Sequence, residues 1–280
     1  MIVWIASYPK SGNTWIRSLL SSYLYSEDGV FNFNLLKQIK QFPSKIYLKP
    51  FLKDFSDIEN VSNFWISAQD RINILENKIT FLKTHSALCT LGKNSFTNKK
   101  NTKAIIYVVR DPRNVITSIS NHYDKTQEDS FNFMINKNKM IVDDYFGGEN
   151  FGIATVLGSW ADHYKSWTNT KIAPLLIIKY EDLLSNTLKT FEKILNFLSK
   201  FTEIELNKTK IINSVNSCDF KILADKEKKE GFFESVSINN KKIKFFFLGK
   251  KNNWQTLLNS EIEKKIKNKF KKEMIELKYI

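Results

Sequence analysis

Apolar residues recur along this chain in two rhythms. In the first they form continuous runs of strand length: Ile2-Val3-Trp4-Ile5-Ala6, Ala104 to Val109, and Leu175 to Ile178 leading into Lys179-Tyr180. Unalternated runs of this length read as parallel strands buried on both faces. Thr80-Phe81-Leu82-Lys83-Thr84-His85 reads as a further strand that ends in polar residues. In the second rhythm the spacing is helical. Trp15, Ile16, Leu19, Leu20, Tyr23 and Leu24 share one face, and Val115, Ile116, Ile119 and His122 another. Trp160, His163, Tyr164 and Trp167 mark a helix over 155–167, where the two tryptophans read as core. Asp111-Pro112 supplies an N-cap carboxylate and a proline at the first helical position, and Glu181-Asp182-Leu183 opens another helix. A charged helix over 261–279 carries the packing stripe Ile262, Ile266, Phe270 and Met274.

Four segments follow neither rhythm. Residues 30–65 read as short helices broken by Pro43 and Pro50. Residues 86–101 are irregular, and 124–150 form a polar excursion ending in Gly147-Gly148. Residues 225–247, with Gly231 and Asn239-Asn240, read as an ordered loop or one that closes over ligand. Strands alternating with helices predict an α/β fold, a central parallel β-sheet flanked by helices, in a single domain over 1–280. Ligands in such sheets sit at the carboxyl ends of the strands.

Charge narrows the partners. Lys and Arg number 43 against 29 Asp and Glu, a net charge of +14. That excess points to an anionic partner, whether nucleotide, nucleic acid, acidic glycan or membrane surface, or else to a solvated Lys- and Asn-rich surface. Two cysteines, Cys89 and Cys218, make no disulfide framework. With three histidines and no H-E-x-x-H, no metal site is expected. No apolar run approaches a membrane span and no leader pattern precedes the first strand, so a cytoplasmic location is expected.

The first strand runs into Tyr8-Pro9-Lys10-Ser11-Gly12-Asn13-Thr14-Trp15 and then directly into a helix. A strand, a tight turn and a helix N-terminus present unpaired N–H groups and a positive dipole end, which is an anion cradle. Lys10 adds a full charge, and Trp15 an aromatic face. The nucleoside triphosphate P-loop, G-x-x-x-x-G-K-[ST], is excluded because the lysine precedes the only glycine. The other strand ends bring Lys83, His85 and Arg110 to the same rim, and Ser118 lies two turns into the following helix. Three cations, a hydroxyl, a helix N-terminus and one candidate general base suit an anion with more than one phosphate-like group.

These residues resemble the cytosolic, PAPS-dependent sulfotransferases, where PAPS is 3′-phosphoadenosine 5′-phosphosulfate. Tyr8 to Trp15 is similar to their 5′-phosphosulfate loop, Tyr107 to Val115 through Ser118 to their 3′-phosphate segment, and Lys83-Thr84-His85 to the strand end bearing the catalytic histidine. Gly158-Ser159-Trp160 with His163 and Trp167, and Lys179-Tyr180-Glu181-Asp182-Leu183, match further family segments in order. The resemblance implies a P-loop-like, nucleotide-binding transferase that moves the sulfuryl group of PAPS to a hydroxyl or amine of a small-molecule or glycan acceptor, without a metal. It implies that Lys10 and the amides of Ser11, Gly12, Asn13 and Thr14 hold the phosphosulfate. Trp15 and Tyr180 line the adenine pocket with Phe220, Arg110 and Ser118 hold the 3′-phosphate, His85 is the base, and Lys83 supports the sulfuryl group. His122 and His163 read as structural or as acceptor wall.

The clearest departure from the family pattern lies near the C-terminus. The family's Arg-Lys-Gly triplet is replaced by Phe247-Leu248-Gly249, so Gly249 could offer only its amide, with Lys250 or Lys251 supplying charge across the turn. Ser86-Ala87 also replaces the family's Leu-Pro after the histidine. No specific nucleic-acid partner and no transmembrane segment are expected, and a homodimer is left open. The alternative is a non-catalytic nucleotide- or nucleic-acid-binding protein that retains the cradle.

Overall fold

The computed structural model describes residues 1–142, 153–238 and 241–280; Gly147-Gly148 and Asn239-Asn240 lie outside the described residues. Five strands form one parallel sheet: β1 (Ile2–Ser7), β2 (Lys40–Gln41), β3 (Thr80–Thr84), β4 (Thr102–Val109) and β5 (Leu175–Lys179), in spatial order β2-β3-β1-β4-β5. Every pairing is parallel, so all five carboxyl ends share one rim. The order reverses around β1, which places its carboxyl end at the switch point where open α/β sheets bind ligands.

The central strands divide their side chains between two cores, as a period of two requires. Ile2, Trp4 and Ala6 with Ile105, Tyr107 and Val109 pack on one face against Trp65, Phe96, Trp160 and Trp167. Val3 and Ile5 with Ala104, Ile106 and Val108 pack on the other against Ile16, Leu19 and Leu20 of α1 (Asn13–Tyr25) and against Phe191 and Ile194. Both faces are covered, which is why these strands are apolar throughout 2–6 and 104–109. Trp160 and Trp167 are buried as expected.

Several elements differ from the sequence reading. Segment 30–65 contributes β2 to the sheet and leads into a helix over Trp65–Glu76. The excursion after residue 124 contains a helix over Gln127–Ile135, capped by Thr126 on the Asp129 amide. The expected helix over 155–167 begins only at Trp160. Ala154–Val156 pairs antiparallel with Met140–Val142, Gly158 turns the chain at φ 66°, and Ser159 caps the helix on the Asp162 amide. Tyr180 opens a helix instead of closing β5. The C-terminal helix is two pieces, Ser260–Lys269 and Lys271–Glu276, broken at Phe270, yet Ile262, Ile266, Phe270 and Met274 all stay buried. Residues 225–230 continue α3 (Phe220–Glu230), and the hairpin Val236–Ile238/Lys241–Ile243 follows.

Candidate active site

A cavity of about 730 Å³ opens at the carboxyl rim, and Lys10, Lys83, His85, Arg110, Ser118 and Tyr180 all line it. The loop after β1 is shaped by two left-handed residues, Lys10 at φ 64° and Gly12 at φ 105°. Gly12 is required there for a second reason: a Cβ would lie 2.5 Å from Cδ2 of Tyr180. Asn13 ties the loop to its strand, its side-chain amide donating to the Ile5 carbonyl at 2.9 Å and to Ser7 Oγ at 3.2 Å. The amides of Trp15 and Ile16 bond to the Gly12 carbonyl and start α1, leaving the preceding N–H groups without helical partners.

Lys10 lies under the ring of Phe245, its ammonium 4.2 Å from the centroid. Burial, opposed by Glu234 and reinforced by Arg110 and Lys83, lowers Lys10 to about 7. An anion bound beside it restores the charged form. Binding therefore proceeds with Lys10 already protonated below pH 7 and takes up a proton above it. Affinity for adenosine 3′,5′-bisphosphate (PAP) is expected to fall as pH rises through 7, approaching about tenfold per unit. Calorimetry at pH 8 in two buffers of different ionisation enthalpy measures that uptake; no uptake contradicts the assignment.

His85 follows β3, and the register of β1 with β3 sets it beside Ser7. Its Nδ1 lies 2.8 Å from the Ser7 carbonyl oxygen. A carbonyl can only accept, so Nδ1 carries the proton and Nε2 keeps its lone pair. Burial, then the charge of Lys83, lowers His85 to about 3, so the ring is neutral near pH 7. His163 is a support, as its Nε2 donates to the His85 carbonyl at 3.0 Å and its Nδ1 accepts from Tyr107 Oη at 2.9 Å. His122 lines the cavity between Tyr123 and Phe245, and burial lowers it to about 2.

Arg110, one residue past β4, is buried with its guanidinium 4.1 Å from the Tyr180 centroid. Its Nη1 donates to the Lys10 carbonyl at 3.2 Å and to Ser118 Oγ at 3.1 Å, so the two expected partners meet. Ser118 lies on α2 (Pro112–Tyr123), and its oxygen also accepts from Asn252 Nδ2 at 2.8 Å. Two donors on that oxygen leave the Ser118 O–H to donate outward. Arg110 Nε is buried without a partner.

Trp15 donates to the Cys218 carbonyl at 3.0 Å and meets Tyr180 edge-on. Phe220 packs on Gly249, where φ is 52° and a Cβ would fall 2.5 Å from the ring. Trp15, Phe220 and Gly249 line the cavity, as do Gly12, Asn13 and Thr14. Ser11 does not; its Oγ is buried without a partner. Gly249 and Lys250 form a short 3-10 turn, but the Lys250 side chain lies outside the described residues. Lys251 is exposed, and the polar group this turn delivers to the cavity is Asn252.

The sequence reading missed two charged residues. Arg17, on α1 one turn after Thr14, is buried in the cavity wall. Glu234 accepts from Arg17 Nη1 at 2.6 Å, Lys83 Nζ at 3.0 Å and Thr14 Oγ1 at 2.9 Å. The neighbouring Arg17 and Lys83 hold its carboxyl far below the usual range against the opposing effect of burial. Arg17 was detectable as a cation at i+3 from Thr14 on the same helix face. Nothing in the chain marks Glu234.

A family model of the sulfotransferase domain matches residues 2–278. The chain belongs to the sulfotransferase domain family. Curated members similar to it include sulfotransferase 1B1 of Mus musculus, 28% identical over 204 residues, covering 72% of this chain and 59% of the mouse protein. Sulfotransferase 1A1 of Rattus norvegicus is 27% identical over 201 residues, covering 70% and 59%. The chain thus spans about three fifths of these relatives' length. Among solved structures, a retinol dehydratase bound to androsterone and the inactive cofactor PAP superposes with a TM-score of 0.60 at 16% identity, over 98% of this chain and 80% of that one. This likeness bears out the expected α/β fold with its central parallel sheet. Among the described residues no helix is long and apolar enough to cross a membrane, and no cluster of His, Cys, Asp or Glu could hold a metal.

Proposed function

We propose that residues 1–280 act as one domain that transfers the sulfuryl group of PAPS to a hydroxyl or amine of a small-molecule or glycan acceptor, with His85 as general base. The observation that carries this reading is the 2.8 Å contact of His85 Nδ1 with the Ser7 carbonyl, which assigns the proton to Nδ1 and leaves Nε2 as the basic nitrogen of a residue lining the cavity. Arg110 lines the cavity, and its buried, unpartnered Nε is a donor of the kind an anionic nucleotide would satisfy, so the residues present fit PAPS.

PAPS supplies an activated sulfuryl group on a phosphate leaving group. Lys10 and the amides at the start of α1 hold the 5′ end, Lys83 balances charge on the peripheral oxygens, and Arg110 with Ser118 holds the 3′-phosphate. Trp15, Tyr180 and Phe220 form the aromatic wall for adenine. Transfers of this kind are catalysed chiefly by positioning and charge stabilisation, which fixed cations provide. His85 Nε2 takes the acceptor proton, and negative charge beside Lys83 raises the basicity of His85 when it is needed. Phe233, Phe245, Tyr123 and Ile141 give the acceptor side of the cavity apolar walls, suited to an aromatic or aliphatic alcohol.

The test is transfer of labelled sulfate from PAPS across phenols, aliphatic alcohols, amines and sugars. Donor-dependent product is the expected result. A blank across all four classes from a protein that binds PAP would favour the non-catalytic reading, as would nucleic-acid binding that survives Lys10→Ala and falls steeply with salt.

A further inference from the structure

Glu234 enters the cavity from the far side of the chain. Its two carboxylate oxygens take three donors: Arg17 and Lys83 on Oε1, Thr14 on Oε2. Arg17 and Thr14 belong to the first turn and a half of α1, and Lys83 to the end of β3. These groups converge where the β1 loop would receive the phosphosulfate. All three side chains of the Glu234 ion pairs are at most 12% exposed. Arg17 Nε is buried with no partner, a donor the carboxylate does not reach.

The arm carrying Glu234 is built. Glu227, buried near the end of α3, accepts from Ser235 Oγ at 2.6 Å and from the amides of Phe245 and Phe246 at 2.8 and 2.9 Å, pinning both sides of the hairpin's base. Phe232 packs against Phe33, Phe245 and Phe246 with centroids 4.8 to 5.2 Å apart. Phe245 from the same base covers the Lys10 ammonium. One short segment thus pairs Glu234 with Arg17 and Lys83 and lays Phe245 over Lys10.

The geometry points to Glu234 as an internal anion that fills the phosphosulfate cradle when donor is absent and must be displaced by it. A second negative group cannot share Lys83 and Thr14 with a carboxylate in a water-poor cavity without strong repulsion. The exchange leaves Arg17 and Lys83 paired in both states, so neither is buried as a lone charge. It also makes the site selective. A small anion such as phosphate offers too few contacts to expel the carboxylate, whereas a nucleotide that also engages Arg110 and the aromatic wall offers enough. Arg17 then becomes a donor-binding residue.

This inference rests on the donor site proposed above, and two probes separate them. PAP and inorganic pyrophosphate are titrated calorimetrically into the full chain, Glu234→Gln and Glu234→Asp. Glu234→Gln is expected to bind both probes about tenfold or more tightly than the parent, and Glu234→Asp, one methylene shorter, by an intermediate factor. If Glu234→Gln does not fold, a gain of about threefold in Glu234→Asp carries the inference. Equal or weaker binding of both probes by the folded variants overturns it, because Glu234 would then be holding Arg17 and Lys83 in place for the donor. Tighter pyrophosphate binding with no PAP binding in any form would uphold the internal anion and sink the donor assignment.

Discussion

Replacing His85 with alanine is expected to cut turnover by about 10²–10⁴-fold while PAP affinity stays within about threefold of the parent. The separation follows from where His85 sits. Its ring is bonded to Ser7 through Nδ1, and the side chains proposed to hold the donor are those of Lys10, Lys83, Arg110 and Ser118. Its backbone carbonyl, the group held by His163, is present in alanine as well. The parent's pH profile gives a second test. The donor-free ring is held at about 3, so kcat/KM should show no histidine-like acid limb between pH 5 and 7, where a free imidazole would titrate. Steady-state rates for parent and variant, with calorimetric PAP binding, decide the matter. Unaltered turnover, or loss of folding in place of turnover, would make His85 structural.

The strands and the residues at their ends were legible because both depend on local pattern. Burial on two faces demands apolar side chains along 2–6 of β1 and 104–109 of β4, and a motif that abuts such a run inherits its place on the rim. The helix over Trp65–Glu76 was hidden because Ile74 and Leu75 are 77% and 64% exposed, so its apolar residues do not form one stripe. Thr155 and Val156 passed for helix because their spacing to Trp160 fits either period. Only their partner, Met140–Val142, which lies in an otherwise polar stretch, makes them a strand. Glu234 was illegible for a stronger reason. It meets Arg17 across 217 positions and Thr14 across 220, and no periodicity or motif encodes a contact at that range. The altered Phe247-Leu248-Gly249 turn could be read as a loss of cations, but not that Asn252 would reach back to Ser118 and Asn114.

Replacing Arg110 with alanine is expected to weaken PAP by about 10–200-fold, the worth of a charge-assisted hydrogen bond or two, and to weaken adenosine 5′-phosphate by less than about threefold. The contrast matters because Arg110 does two things. It bonds to Ser118, its proposed partner on the 3′-phosphate, with its Nε unspent, and it also clamps the Lys10 carbonyl and lies on Tyr180. A loss confined to the 3′-phosphorylated nucleotide assigns it to the phosphate. Equal loss on both nucleotides would mean that the clamp on the Lys10 loop dominates and that Arg110 acts by positioning the 5′ site. Arg110→Lys separates the two roles further. Lysine keeps the charge but lacks the planar fork that spans the Lys10 carbonyl and Ser118 while stacking on Tyr180. If direct charge on the 3′-phosphate is the larger effect, lysine recovers part of the PAP affinity and leaves adenosine 5′-phosphate unchanged. If the clamp is larger, lysine recovers neither. With the Arg-Lys pair absent at 247–248, Arg110 is, among the described residues, the cation bonded to Ser118, so its removal should cost more here than where that pair shares the phosphate.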